Sequence, residues 1–167
     1  MKIAPIGNPN SGKTTLYNQL TGSNQSVGNW PGVTVEKKVG LLKSTHIKAD
    51  VVDLPGIYSL STISLEEEVA SNFILEREMD LIINIVDATN LERNLFLTYQ
   101  LLDSKIPMIV ALNGMDVIDK NKESIDHQAL SVALDLPVIP ISASKKIGID
   151  QLIEAVEVFD FNQERKV

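Results

Sequence analysis

The chain has 167 residues, 44% of them hydrophobic, and a formal net charge of −7. That length suits one domain with a real core, and the acidic balance argues against a surface that coats nucleic acid. It has no cysteine, which excludes disulfides and thiolate metal sites, and no apolar run near the roughly 18 residues of a membrane span.

Lys2 to Ile6 is apolar and reads as a central parallel strand, although Pro5 inside it cannot donate to a ladder. Either its position faces no partner, or the strand is locally disturbed. Gly7-Asn8-Pro9-Asn10-Ser11-Gly12-Lys13-Thr14 fits G-x-x-x-x-G-K-[ST], a phosphate-binding loop, and Thr15 to Leu20 continues as a helix. In such a loop, backbone amides and a helix N-terminus face anionic phosphate. Gly7 and Gly12 allow close approach, Lys13 reaches the β- and γ-phosphates, and the Thr14 hydroxyl is placed for Mg²⁺.

Ser23 to Pro31 is polar and aperiodic and is expected to be a loop. Two roles are open to Trp30, covering a nucleotide or pinning the loop to the body; pinning is the expected one. Thr34, with Gly32 and Val33 before it, either begins a strand or closes over Mg²⁺ and the γ-phosphate. Val33 to Leu42 and His46 to Val52 read as two strands joined at Lys43-Ser44-Thr45, so one strand is antiparallel. His46 is expected to be solvated.

Asp53-Leu54-Pro55-Gly56 ends the second of these strands. An aspartate there holds Mg²⁺, and the Gly56 amide is open to a γ-phosphate. The plainer alternative is an Asp-x-Pro-Gly turn. Ile57 stands where many nucleotide switches have a water-orienting glutamine, and isoleucine cannot do that work. Ser64 to Glu67 is a capping box that opens a second helix with Glu66, Glu67 and Glu68 in its first turn; a catalytic carboxylate among the three is the lesser alternative.

Asp80 to Asp87 reads as a strand buried on both faces, followed by a loop over Ala88 to Asn94. Leu91, Leu95, Leu101 and Leu102, with Tyr99 between, have helical spacing and are expected in the core. Arg93 is expected to be solvated or in a salt bridge. Ile106 to Leu112 is a further strand, ending in Asn113-Gly114-Met115-Asp116. An aspartate in Asn-x-x-Asp accepts from N1 and N2 of guanine, which adenine cannot match; the asparagine braces base and loop. Ile125 to Leu134 reads as a short helix with His127 exposed, and Leu136 to Ile141 as the last strand. Ser142-Ala143-Ser144 follows, where a backbone amide reaches guanine O6. Ile149 to Phe159 is a final helix, and a polar, frayed tail is expected from Asn162.

The alternation predicts an α/β fold of about six strands, mostly parallel, with helices on both faces and every site residue at a strand's C-terminal rim. Gly7–Thr14, Thr34, Asp53–Gly56, Asn113–Asp116 and Ser142–Ser144 together resemble the Ras-like P-loop GTPase superfamily. Gly28-Asn29-Trp30-Pro31-Gly32-Val33-Thr34-Val35-Glu36, Asp53-Leu54-Pro55-Gly56-Ile57-Tyr58-Ser59 and Asp87-Ala88-Thr89-Asn90-Leu91-Glu92-Arg93-Asn94-Leu95 more narrowly resemble the ferrous-iron transport protein B (FeoB) family.

The resemblance implies a G domain over 1–160 on the cytoplasmic side of a membrane, with 161–167 leading toward helical and membrane domains. It implies GTP and GDP as ligands, Mg²⁺ held by Thr14, Thr34 and Asp53, and hydrolysis resting on Asn10, Lys13, Thr34 and Gly56. It also implies K⁺ held by Asn10 with backbone from Gly28 to Trp30. Asn10 is alternatively a plain turn former. Partners implied are the transporter's own other domains, a small accessory transport protein or a second copy, and no nucleic acid. Two departures stand out: relatives carry an aliphatic residue at Pro5 and a long side chain at Gly114. Glycine there is expected to loosen the turn and weaken nucleotide binding. Two classes stay open: an enzyme, and a binding module in which nucleotide occupancy changes the loop at Gly28–Thr34 and signals to a membrane partner; a ribosome-assembly GTPase and an ATPase are weaker readings. Two separated histidines and no cysteine leave no iron site.

Overall fold

A computed structural model describes residues 1–22, 25–61 and 63–165. Ser23 and Asn24 of the expected loop, and Lys166 and Val167 of the expected tail, lie outside the described residues. The apolar runs become a sheet of seven strands ordered β2-β3-β4-β1-β5-β6-β7. These are β1 Lys2–Gly7, β2 Ser26–Asn29, β3 Glu36–Leu41, β4 Asp50–Asp53, β5 Leu81–Asp87, β6 Met108–Asn113 and β7 Val138–Ile141. The central pairings are parallel, and β3 alone runs against its neighbours, as expected of one antiparallel strand.

The strand beyond the expected count is β2, which lies in the stretch read as a loop. Its residues Ser-Val-Gly-Asn are all exposed and pair with β3 from Ser26↔Val39 to Asn29↔Glu36. Backbone hydrogen bonds alone hold it, so no apolar alternation announces it.

Pro5 sits at the point where one ladder stops. The Met1 carbonyl accepts from the Asp50 amide, and the Gly7 carbonyl from the Ile57 amide at 3.0 Å. Alternation puts Pro5 on that same edge, between them. Pairing with β4 ends at Ile3↔Val51, whereas pairing with β5 continues to Gly7↔Ile85. The missing N–H therefore falls where β4 peels away, and the central β1–β5 ladder keeps all its donors.

Helices cover both faces. α1 Lys13–Leu20 and α6 Ile149–Glu164 pack Leu16, Tyr17, Leu20, Leu152 and Val156 on Ile3, Ile83 and Ile109. α2 Leu65–Leu75 and α3 Leu91–Asp103 pack Phe73, Ile74, Leu97 and Leu101 on Ala4, Ile6 and Ile82. α4 Met115–Lys120, not foreseen, and α5 His127–Leu134 close the end near β6 and β7 through Ile118 and Leu134. The N-cap half of the capping box forms: the Ser64 hydroxyl accepts from the Glu67 amide at 3.1 Å, while the Glu67 carboxylate accepts from that hydroxyl at 3.2 Å.

Several local readings need correction. Tyr99 is 58% exposed, because the inward stripe of α3 runs through Asn94, Leu97, Thr98 and Leu101. Only Ala88–Asn90 intervenes between β5 and α3, as a 3-10 turn capped by the Asp87 carboxylate. His127 is half-buried at the start of α5, and α6 continues past Phe159 to Glu164. On β5, buried Asn84 donates to the Ile6 carbonyl at 3.1 Å and accepts from the Thr98 hydroxyl at 2.6 Å, so its polar atoms are satisfied inside the core.

Gly148, with φ +81, starts α6 against β7; a Cβ there would collide with the Pro140 carbonyl oxygen and lie 3.1 Å from Ile141 Cα. Gly148→Ala is expected to lower unfolding free energy by about 2 kcal/mol or more, measured by urea denaturation.

Candidate functional site

The sequence motifs meet along one rim. A cavity of about 710 Å³ is lined by Asn8 to Asn10, Gly12 to Thr15 and Asp53 to Gly56. The Lys13 ammonium lies 2.6 Å from the Asp53 carboxylate, with the two side chains only 10% and 16% exposed. Two segments forty residues apart thus hold opposite charges in one wall. α1 begins at Gly12 in a left-handed conformation, φ 98, with no side-chain cap and no acid in its first turn. Its N-terminal amides and positive dipole end are therefore not neutralised by the chain itself.

Close packing shapes the loop. A Cβ on Gly7 would lie 2.8 Å from Ser11 Oγ and 2.9 Å from the Ile85 carbonyl oxygen. A Cβ on Gly12 would strike the Asn113 amide nitrogen, and one on Gly56 would lie 3.0 Å from Pro9 Cα. Asn10 has φ 65, a conformation that asparagine tolerates better than most residues. That backbone accounts for an asparagine as a turn former.

On the far side of the loop, the Asn113 side chain joins two segments. Its Nδ2 donates to the Ser11 carbonyl at 2.9 Å, and its Oδ1 accepts from the Ala143 amide at 2.9 Å. The Ser142 amide is engaged by the Ile147 carbonyl. Of Ser142, Ala143 and Ser144, the Ser144 amide is thus the one without a partner among the described residues. Asp116, in the first turn of α4, lies 3.3 Å from the Lys145 ammonium. Burial pushes its pKa up, but hydrogen bonds from Lys145 and Ser142 and the Lys145 charge outweigh that, leaving it below the ordinary carboxylate value.

The Gly114 turn is hydrogen-bonded through its backbone. Its φ is +93, where glycine is unstrained. Its amide donates to the Ile141 carbonyl at 3.1 Å, and its carbonyl accepts from Val117 and Ile118. The half-buried Met115 follows it on α4.

Asn113 to Asp116 and Ser142 to Ser144 stand on the same rim but do not line the large cavity. Gly28, Trp30, Gly32, Val33 and Thr34 do not line it either, and Thr34 is exposed ahead of β3. Trp30 does pin its loop: it is buried, and its ring meets Phe73 edge-on at 5.3 Å with the Lys37 ammonium 4.5 Å from its centroid. Ile57 is fully buried in the core, so its side chain is absent from the site wall. Glu36, Lys38 and Glu66 line the cavity; Glu36 and Lys38 were missed, and a site role for Glu66 was only the lesser alternative to that of a helix-start acid. Glu36 and Lys38 share one face of β3 by the two-residue alternation, which was the available signal, and Glu66 stands in the first turn of α2.

The family model described as ferrous iron transport protein B matches residues 1–156. The chain belongs to that family. It is 53% identical to the Fe(2+) transporter FeoB of Escherichia coli K12 over 98% of this chain, and spans 22% of that relative's length. Among solved structures, an S. thermophilus NFeoB variant bound to mGDP superposes with a TM-score of 0.87 at 53% identity, covering 92% of this chain and 58% of that one. The FeoB G domain of Methanococcus jannaschii gives 0.83 at 44% identity, covering 94% of this chain and 95% of that one. The FeoB G-domain fold and its membership in the P-loop GTPases are thereby shared. Among the described residues, no helix is long and apolar enough to cross a membrane, and no group of three or more histidines, cysteines or acids could cage a metal ion.

Because the folded pKa of Asp116 lies below its unfolded value, its ionised form adds stability at neutral pH, and that contribution fades as pH falls through the folded value. Lys145→Met is expected to raise the Asp116 pKa toward its unfolded value and so to shrink that contribution, read by NMR titration of its carboxyl carbon. Asn113→Ala removes both bridging hydrogen bonds and is expected to cost about 2 kcal/mol in thermal or urea unfolding.

Proposed function

We propose that this FeoB-family chain binds guanine nucleotide with Mg²⁺ and hydrolyses GTP to GDP and phosphate, slowly and with K⁺ stimulation. The carrying observation is the convergence of Lys13, Asp53 and the Asn113 bridge around one phosphate loop. In this reading the amides from Gly7 to Thr15 cradle the phosphates. Lys13 exchanges Asp53 for the β- and γ-phosphate oxygens. The Thr14 hydroxyl and the freed Asp53 carboxylate are hard oxygen donors that suit Mg²⁺, which takes few protein ligands beside phosphate. Bound there, Mg²⁺ would neutralise charge on the phosphates. Gly56 offers its amide to the γ-phosphate, with Leu54 and Pro55 shaping the wall. Thr34, with Gly32 and Val33, would have to move in from outside the cavity to join them.

Asp116 gives preference for guanine by accepting from N1 and N2, exchanging Lys145 for the base. Asn113, Gly114 and Met115 flank the base, and Ser142, Ala143 and Ser144 close it from the other side, with the Ser144 amide the donor left for O6. The buried Ile57 cannot orient water, which supports turnover on the order of 10⁻³ per second without help. K⁺ held by Asn10 with the Gly28 and Trp30 backbone would supply positive charge for the hydrolysis. In the full-length transporter, residues 1–160 would act as a cytoplasmic regulator of Fe²⁺ uptake, with 161–167 connecting to helical and membrane domains. A small accessory transport protein or self-association would complete its partners. The exposed Thr34 loop also supports a second reading, in which nucleotide occupancy signals to a partner and turnover is incidental.

In competition binding, GTP is expected to displace a labelled guanine nucleotide far better than ATP, with Asp116→Asn erasing most of the difference; equal competition by both would overturn the reading. Phosphate release should be faster in KCl than in NaCl. Asn10→Gly, which keeps the left-handed backbone, should abolish that difference while sparing GDP affinity; retained K⁺ dependence would leave Asn10 a turn former. Gly114→Met should tighten GDP binding if the missing side chain matters, at a folding cost of about 1 kcal/mol for its positive φ.

A further inference from the structure

A second, smaller cavity of about 200 Å³ borders the phosphate loop, with Asn8, Ser11, Tyr58, Asp87 and Arg93 in its wall. Its chemistry is unbalanced. Asn8 and Ser11 are each only 4% exposed, yet Asn8 Oδ1 and Ser11 Oγ have no hydrogen-bond partner among the described residues. A buried acceptor left in that state costs about 1–3 kcal/mol. Arg93 borders the same space, has five N–H donors and makes no ion pair among the described residues. Its guanidinium carbon lies 4.4 Å from the centre of the Tyr58 ring. Stacking occupies the face of a guanidinium and leaves its edge free to donate.

The neighbouring contacts show what such a bridge would hold. Tyr58 follows Gly56 and Ile57, in the segment that lines the large cavity. The Ile57 amide is fixed to the Gly7 carbonyl, and Gly56 packs on Pro9 of the phosphate loop. Two helical turns beyond Arg93, Gln100 accepts from the Leu60 amide at 2.7 Å, while the Ser71 hydroxyl donates to the Leu60 carbonyl at 3.1 Å. α3 therefore grips this segment at Tyr58 and at Leu60, and only the Arg93 grip also borders the phosphate loop.

We propose that Arg93 is a positioning residue for the nucleotide site: its guanidinium lies over Tyr58 and faces the unpartnered Asn8 Oδ1 across the small cavity, and on nucleotide binding it donates to that oxygen and ties the segment after Gly56 to the phosphate loop. This rests on the GTPase reading above and deepens it. Arg93 touches no phosphate; it sets where Gly56 stands relative to Lys13 and Thr14.

The test compares Arg93→Ala, Arg93→Lys and Tyr58→Ala with the parent chain. The readouts are kcat and KM for GTP, GDP affinity, melting temperature and amide hydrogen exchange over residues 57–61. Arg93→Ala is expected to lower kcat about tenfold while KM and GDP affinity stay within about twofold, since misplacement of a positioned group is felt in the chemical step. Exchange over 57–61 should quicken. Arg93→Lys should recover part of both effects, by keeping a cation on the ring without the planar edge. Tyr58→Ala should add little to Arg93→Ala in the double variant. Unchanged exchange over 57–61 in Arg93→Ala would overturn the proposal. So would a fall in kcat matched by equal falls in GDP affinity and melting temperature, which marks a merely structural role. If the parent chain turns over no GTP, the GTPase reading fails on its own, and the exchange data still decide the role of Arg93.

Discussion

One asparagine side chain holds the rim together. Asn113 stands at the end of β6 and reaches in two directions, giving a hydrogen bond to the Ser11 carbonyl and taking one from the Ala143 amide. An amide is the side-chain group that can donate and accept at once over that short span; aspartate could only accept and leucine could do neither. The loop after β1 and the loop after β7 are thereby fixed to the strand between them. Gly12 is part of the same arrangement, since a Cβ there would occupy the space of the Asn113 amide. The glycine spacing of the phosphate loop thus answers to a neighbour as well as to a ligand.

Each end of the rim carries a lysine facing a carboxylate, and the two pairs differ in weight. Lys13 and Asp53 are nearly enclosed, so each charge depends on the other and loss of either partner leaves a buried charge alone. Lys145 is 61% exposed, so its pair with Asp116 is screened and easily exchanged. A ligand entering the phosphate end must offer charge of its own, whereas the Asp116 end needs only donors of the right geometry. The cavity beside Arg93 adds a third polar contact region, one that faces the chain's own backbone.

The phosphate loop, the Asp53 turn and the Asn113–Asp116 string were legible because each packs a fixed chemistry into consecutive residues at a strand end. The capping box at Ser64 was legible for the same reason. Other features left no local mark. β2 has no apolar face and exists through its pairing with β3. Tyr99 has helical spacing with its neighbours, but which stripe of α3 turns inward depends on where the sheet lies. Glu36, Lys38 and Glu66 reach the cavity from elements whose placement no short window encodes. Pro5 looked like a fault in a central strand until the alternation of β1 put its missing donor on the edge where β4 departs.

From its sequence alone this chain has a doubly wound α/β fold of the FeoB family, a loop built for phosphate, and an acid at the strand end after it. Those properties follow from local backbone and side-chain chemistry, which a string of residues carries in full. Only the folded chain decided that Asn113 joins two loops, that Thr34 stands outside the cavity, that the Gly114 turn is firmly bonded, and that Arg93 stacks on Tyr58. These are contacts between segments distant in sequence, and their distances are set by the packing of helices on the sheet.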